Sequence, residues 1–259
     1  MEPWDDRGQS IQIGAVLIFA VLILAFSSYQ AFVVPQQNQQ TEFEHNQAIK
    51  GDLLDLRNAV VSTLGRPSAE SVSVRLGTTY PARAIATNPP PPSGTLRTVG
   101  TADGTVNLSV ENAAAVDPET DDFWDGTRRN YSTGGVEYRP NYHEYGQPPV
   151  TVYEASVLYD RFEFEGTNLT RSDQALVDGD RIRLVALNGS LRRSSSGTTA
   201  VDVRSVSASD RTVSVRNDAT GDPVVVRVAT QLSESTWEEL LADQRADEGG
   251  NVSTATDFQ

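Results

Sequence analysis

The chain of 259 residues has no cysteine, one methionine, two histidines and a single lysine among its 21 basic residues. Without cysteine there is no disulfide framework, no thiolate zinc site and no thiol nucleophile, and redox chemistry says nothing of the compartment. His45 and His143 alone leave little material for metal binding or acid–base catalysis. Positive charge is scarce as well: 35 acidic residues against 21 basic ones give a net charge of −14 and a pI near 4.5. That balance excludes nucleic-acid binding, which needs a basic stripe to displace counterions. Lys50 is the sole lysine, and arginine supplies every other cation. Such a composition suits a high-salt medium, where screening relieves self-repulsion, although GC-rich codon usage gives the same bias.

One stretch lacks charge altogether. Gly8 to Thr41 covers 34 positions without an acidic or basic residue, in a chain that is 22% charged. Inside it, Ile13 to Val34 (IGAVLIFAVLILAFSSYQAFVV) comes close to the roughly 20 apolar residues that cross a hydrocarbon core of about 30 Å. A secretory signal peptide is the rival, with an apolar core of about 7 to 15 residues behind a basic leader. Here the leader, residues 1–12, begins with the net acidic MEPWDDR and no A-x-A site follows the apolar run, so a membrane helix over 13–34 is expected. Arg7 is the only cation before the span and Lys50 is the next after it. The count favours a single-pass plasma-membrane protein with its N-terminus cytoplasmic and the remainder extracellular. N-x-S/T sequons at Asn107, Asn130, Asn168, Asn188 and Asn251 take five of the twelve asparagines and are candidate N-glycosylation sites; a Ser/Thr-rich composition is the plain alternative.

Pro35 and the run QQNQQT are expected to form a polar connector, with Pro35 a candidate kink. A stalk helix follows over 41–64: Ile49, Leu53, Leu56, Val60 and Leu64 make one apolar stripe, and Gly65 and Pro67 end it. It packs either on its own β-rich ectodomain or on copies of itself. From Glu70 the period changes to two. SVSVRL, TLRTV, TVNLSV, VTVYEASVLYDRFEF, RIRLVAL, AVDVRSVS, RTVSVRN and VVVRVAT are strand candidates, broken by turn-rich pieces that include Pro89 to Pro92 and Asp178-Gly179-Asp180. The last three, with Val201 and Val203, Val213 and Val215, and Val224, Val226 and Val228 on one face, predict an antiparallel meander with one wet side. Residues Asn112 to Arg129 predict an acidic loop, and Ser194 to Ser196 another loop. Leu232 to Gln244 predicts a short helix with Ser235 and Glu238 as capping box and Trp237, Leu240 and Leu241 as anchors. The expected architecture is mainly β: one transmembrane helix and a stalk helix, a β-sandwich-like ectodomain over 68–245 and a flexible tail over 246–259.

Few residues suggest chemistry. The acidic run DPETDDFWDG, Asp117 to Gly126, offers hard oxygen ligands for calcium. Its sixth position is Asp122 rather than Gly and its twelfth is Arg128 rather than Glu, so it departs from the helix-loop-helix calcium loop, and a solvated loop is the simpler reading. His143 and Glu144, among Tyr138, Tyr142 and Tyr145, could serve a general base or a carbohydrate platform; tyrosines of this kind more commonly pack a sheet or loop. His45 is expected to be solvated on the stalk. There is no serine nucleophile elbow, phosphate loop or zinc motif.

Two sets of residues carry a resemblance. Arg7-Gly8-Gln9-Ser10 running directly into the apolar stretch resembles the type IV pilin-like leader of archaeal surface proteins. That resemblance implies a prepilin peptidase as partner, a cut between Gly8 and Gln9 on the cytoplasmic side, and retention of the apolar helix. The fifth residue after that cut is Ile13, where many such pilins carry Glu. Farther on, GGVEYRPNYHEY, Thr151 to Glu154, VLYDRF, ALVDGDRIRLVALNGSLRRSSSG and VDVRSVSASDRTVSVRN are similar to a family of haloarchaeal membrane-anchored, pilin-like exported proteins. The resemblance implies a surface location and brings no catalytic residue with it. The expected function is therefore a cell-surface structural or interaction protein, not an enzyme, without cofactor or metal. Its partners would be the membrane, the peptidase, and copies of itself or a surface complex. A tethered carbohydrate- or calcium-binding module is the alternative.

Overall fold

A computed structural model describes residues 6–63, 69–100, 107–206, 211–217 and 221–244. The chain begins as one helical rod: α1 (Asp6–Ser28), a single π-helical turn (Tyr29–Val33) and α2 (Val34–Ser62) follow one another without a break. At about 1.5 Å per residue the rod is roughly 85 Å long. The expected connector after Pro35 is thus helical. Pro35 has no N–H to give and crowds the preceding turn. The chain meets this by widening that turn, so that the Val34 N–H bonds the Tyr29 carbonyl five residues back. The proline then sits in the first turn of α2, where its missing donor costs least. The end residues Leu64, Gly65 and Pro67 lie outside the described residues.

Among the described residues after α2, the strands pair antiparallel throughout, and one short helix follows them. In chain order the strands are β1 (Ala69–Arg75), β2 (Ser93–Val99), β3 (Asn107–Glu111), β4 (Ala113–Ala115), β5 (Arg129–Ser132), β6 (Gly135–Asn141), β7 (Val150–Glu154) and β8 (Val157–Phe162). They continue with β9 (Thr167–Thr170), β10 (Val177–Asp178), β11 (Arg181–Ile182), β12 (Arg192–Ser195), β13 (Thr198–Arg204), β14 (Val215–Asn217) and β15 (Val225–Val228), before α3 (Glu234–Leu240). The largest sheet has the order β12-β2-β6-β7-β8-β9; β1 pairs β13, β14 pairs β4, and β3 lies between β15 and β5. The protein is mainly β with an N-terminal helix.

Several local expectations change. The expected meander of the last three valine strands does not form: β13, β14 and β15 each pair with a strand from the first half of the chain, opposite β1, β4 and β3. Alternation reports which side of a strand is wet and is silent about its partner. Ser194 and Ser195 lie in β12, paired with Thr95 and Gly94, rather than in a loop. Within the expected acidic loop, residues 113–115 form β4. Of RIRLVAL only Arg181 and Ile182 are strand; they close the β10–β11 hairpin over Gly179, whose φ of +61° the turn requires. The capping residue of α3 is Ser233, whose side chain accepts from the Thr236 N–H, two residues ahead of the expected Ser235. Trp237 and Leu240 do anchor that helix, against Val150, Val152, Val157 and Tyr159.

The core is organised by α2. Its residues Ile49, Leu53, Leu56, Ala59 and Val60 are buried in one cluster with Val72, Val74 and Leu76 after or within β1, Leu96 of β2, Val136 and Tyr138 of β6, Tyr153 of β7 and Leu158 of β8. Each large member contributes about 1.5–3 kcal/mol by leaving water. Lys50 and Arg57, seven residues apart on one flank, reach toward the sheet, where Lys50 meets Asp160 of β8 at 3.0 Å and the Arg57 Nε donates to the Ser156 carbonyl at 3.0 Å. Asp52, on the far flank, takes a bidentate guanidinium and the backbone N–H of Arg75 from β1. Ser156 and Ala155 form the two-residue β7–β8 turn with φ of 71° and 46°, so the Arg57 contact secures a backbone shape that non-glycine residues adopt reluctantly. Both faces of β6 to β8 are covered, which is why VTVY and VLYD read as nearly continuous apolar runs.

Away from α2 the sheet carries an arginine–glutamate lattice. Glu137, opposite Arg97, receives Arg97 and Arg161, each at 2.9 Å. Arg139 grips Glu163 with both terminal nitrogens, at 2.8 and 2.7 Å, and holds that carboxyl down to about 2. Guanidinium forks match carboxylates in a way an ammonium cannot. The lone lysine occupies a different kind of place. Asp160 is fully buried and takes Lys50, the Arg171 guanidinium at 2.6 Å and the Thr151 hydroxyl at 2.7 Å. Asp160→Asn would leave two cations facing a neutral amide, so a loss of about 3–5 kcal/mol is expected. Urea denaturation of the full chain in detergent checks this, and an unchanged midpoint would contradict the assignment of Asp160 as the anchor of Lys50.

Candidate functional site

Residues 13–26 of α1 are uncharged and apolar, and their large side chains are uncovered: Val16, Leu17, Ile18, Phe19, Leu22 and Leu24 are all 60% or more exposed. The helix is long and apolar enough to cross a bilayer. Gly8 and Gln9, the expected processing site, lie within it, one turn from its start.

Toward α2 the exposed surface gives way to a polar seam. Along the buried side of α2 the residues run Val34, Asn38, Glu42, His45, Asn46 and then Ile49, at the same helical spacing as the apolar stripe that follows. Two loops close over this seam. The first is residues 77–92, whose ends meet: a Cβ on Gly77 would lie 2.3 Å from the Pro92 carbonyl, so only glycine fits there. It is a compact loop whose base is the β-rich body and whose side lies along the rod. Tyr80 donates to Glu42, Arg83 donates to Asn38 at 2.9 Å and to Gln37 at 3.1 Å, and Thr87 exchanges two hydrogen bonds with the Gln30 side chain at 2.8 and 3.1 Å. The second loop is 142–145, between β6 and β7.

Glu42 joins them. It is fully buried, and its two oxygens accept the backbone N–H groups of His143, Glu144 and Tyr145 at 2.8, 2.8 and 2.6 Å as well as the Tyr80 hydroxyl. Successive N–H groups converging on one carboxylate form an anion nest, here filled from within the chain. Burial and the bond to Glu42 push the Tyr80 phenol well above its ordinary value and keep it a donor. Around the nest the rings interlock: Phe43 meets Tyr145 edge-on at 5.7 Å, and Tyr142 stacks on Tyr145 at 6.0 Å.

His45, expected to be solvated, is buried. Its Nε2 lies 3.1 Å from the Arg75 carbonyl, which can only accept, so Nδ1 is the acceptor for the Tyr142 hydroxyl at 2.6 Å. Burial lowers its pKa, with the Arg75 charge adding to the effect. At Asp52 burial pulls upward, but the Arg75 hydrogen bonds outweigh it and the net direction is down.

The residues singled out for ligand chemistry do not converge. His143 is exposed, and its contribution to the fold is its backbone N–H on Glu42; the tyrosines around it pack on α2 instead of lining a platform. The acidic run lies elsewhere, over β4 and β14, beside an open depression of about 540 Å³. Two of its carboxylates are engaged locally: Asp117 accepts the Glu119 N–H at 3.0 Å, and Asp125 accepts Thr127 and pairs Arg129 at 3.1 Å. Among the described residues no three His, Asp or Glu side chains are grouped to hold a metal ion. Of the sequons, Asn130 is exposed on β5, Asn168 is exposed on β9 and Asn188 is exposed between β11 and β12. Asn107 opens β3, and Asn251 lies outside the described residues. Sequence reasoning missed the nest; the available signal was a run of polar residues, Asn38, Glu42, His45 and Asn46, at core spacing. Compared with protein-family models, curated proteins and solved structures, the chain finds no match.

Two outcomes are expected. Glu42→Gln turns an acceptor into a donor against buried N–H groups and should cost about 3 kcal/mol, read by denaturation; a smaller effect than that of a surface substitution would contradict the nest. The second concerns pH. His45 has a lowered folded pKa, so the unfolded chain takes up its proton first and stability falls as pH drops from about 7 through about 6.5. Asp52 and Glu163, also lowered, add a further loss only as pH falls below about 4.5. His45→Gln should flatten the upper part of the profile and leave the lower part.

Proposed function

We propose that this chain is a cell-surface structural or interaction protein, anchored by α1 in the plasma membrane and presenting its β-rich body to the exterior. One observation carries the reading: residues 13–26 of α1 are apolar and uncovered, while the direct continuation of that helix, α2, is built into the core of the β-rich body. A helix of that kind must be surrounded by lipid or by its own kind, and whatever holds α1 holds the body through a continuous rod. The pilin-like leader, with cleavage between Gly8 and Gln9, fits both an anchor and a filament subunit. Ile13 in place of an acidic residue near the mature N-terminus favours the anchor. So does the seating of α2, which spends its buried face on its own body rather than on copies.

The N-terminus is cytoplasmic in this reading and the acidic, lysine-poor body is suited to a saline exterior. Asn130 and Asn168 stand on β5 and β9, each the last strand of its sheet. Glycans there would block edge-to-edge pairing between copies, a recurring hazard for exposed strands.

Fractionation of cells expressing the full chain tests the anchor. The protein should stay with membranes through an alkaline wash, leave them in detergent, lose its β-rich body to protease added outside intact cells, and begin at Gln9. Release by the wash, or recovery mainly in sheared filaments, would overturn the anchor. An intact Met1 would overturn processing alone.

A further inference from the structure

Resting on the anchor reading above, we propose that the loop 77–92 is a membrane-seating collar whose tip contacts the interfacial layer of the lipid bilayer beside α1. Cut as proposed, the uncharged part of α1 runs from Gln9 to Ser28, 20 residues and therefore about 30 Å, which matches a hydrocarbon core of about 30 Å. The next turn, Tyr29–Val33, then falls in the interfacial layer, where the aromatic rings of Tyr29 and Phe32 are at home.

The loop is bonded to that turn. Thr87 takes both hydrogen-bonding ends of the Gln30 side chain, so the loop's far end lies at the axial level of Tyr29 to Val33 rather than beside the body. Two residues from each partner stand the apolar side chains Ile85 and Phe32, both 74% exposed and at the same end of the β-rich body. An isoleucine thrust outward on a loop that otherwise folds back on its helix is left uncovered by the described residues, and continuity with the uncovered surface of α1 makes lipid its occupant.

Charge agrees. In a chain of net charge −14, the segment 71–102 contains no acidic residue, so nothing on the collar opposes an anionic headgroup layer. The one charge within residues 77–92 is Arg83, which is turned back onto Asn38 and Gln37. The proline run Pro89 to Pro92 gives the device stiffness. The collar returns through these prolines to its base at Gly77 and β2, so the body is held at a set height over the bilayer.

The absence of cysteine permits a direct test. Ile85→Cys, Phe19→Cys and Phe123→Cys are each labelled with a solvent-sensitive fluorophore in the full chain, reconstituted into phosphatidylcholine–phosphatidylglycerol vesicles. Quenchers are carried on the lipid headgroup or deep in the acyl chain. The label at 85 should lose most of its fluorescence to the headgroup quencher, the label at 19 to the deep quencher, and the label at 123 to neither. A label at 85 that behaves like the one at 123, while 19 is quenched, overturns the collar and leaves the membrane span standing. A label at 19 that escapes the deep quencher overturns the span and the collar with it.

Discussion

The carboxylate of Glu42 is the point on which the arrangement turns. It lies on a helix, yet its hydrogen bonds are to two loops that are 38 to 103 residues away in the chain. Without an acceptor there, three consecutive N–H groups and a phenol would be buried unpaired, and both loops would have to come off the helix to reach water. With it, the polar half of α2 is as firmly embedded as the apolar half. The apolar stripe Ile49 to Val60 fixes the body on the lower rod by hydrophobic burial; Glu42, Asn38 and Gln30 fix it on the upper rod by hydrogen bonds. The transition from one mode to the other follows one side of one helix, and it leads to the uncovered surface of α1.

Charged groups elsewhere follow the same division between place and chemistry. On the face of the large sheet away from α2, where water is near and geometry is planar, arginines pair glutamates in forks. Between α2 and β8, where space is narrow, the single lysine reaches Asp160 on a flexible stem. Burying such pairs gains little stability over apolar packing, but breaking them is costly. Asp160 with Lys50, and Asp52 with Arg75, therefore act chiefly to fix the rotation of the helix, one from each flank.

Much of the outline was legible from residue patterns. The uncharged run, the apolar stripe of α2, the switch to period two after Glu70 and the anchoring of α3 by Trp237 all follow from periodicity and hydropathy, which are local properties. What escaped were pairings. Val201 and Val203 alternate correctly, but nothing in that alternation names β1 as the partner strand. Pro35 reads as a break, because the cost of an interior proline is local, whereas its accommodation by a π turn depends on the helix continuing on both sides. His45 reads as solvated because the groups that bury it, Tyr142 and the Arg75 carbonyl, are 97 and 30 residues away. The nest around Glu42 was hidden for the same reason: an anion site made of backbone donors has no side-chain signature.

Hydrogen exchange resolved to single amides addresses the central claim most directly, that the rod carrying the apolar helix α1 is clasped to the β-rich body through Glu42. In the full chain in detergent, the amides of His143, Glu144, Tyr145 and Thr87 should exchange as slowly as those of β6 to β8, although none of the four lies in a strand or helix. Exchange at those four amides as fast as at exposed turns, with β6 to β8 still protected, would mean that the clasp is open and that the body is held by its apolar stripe alone.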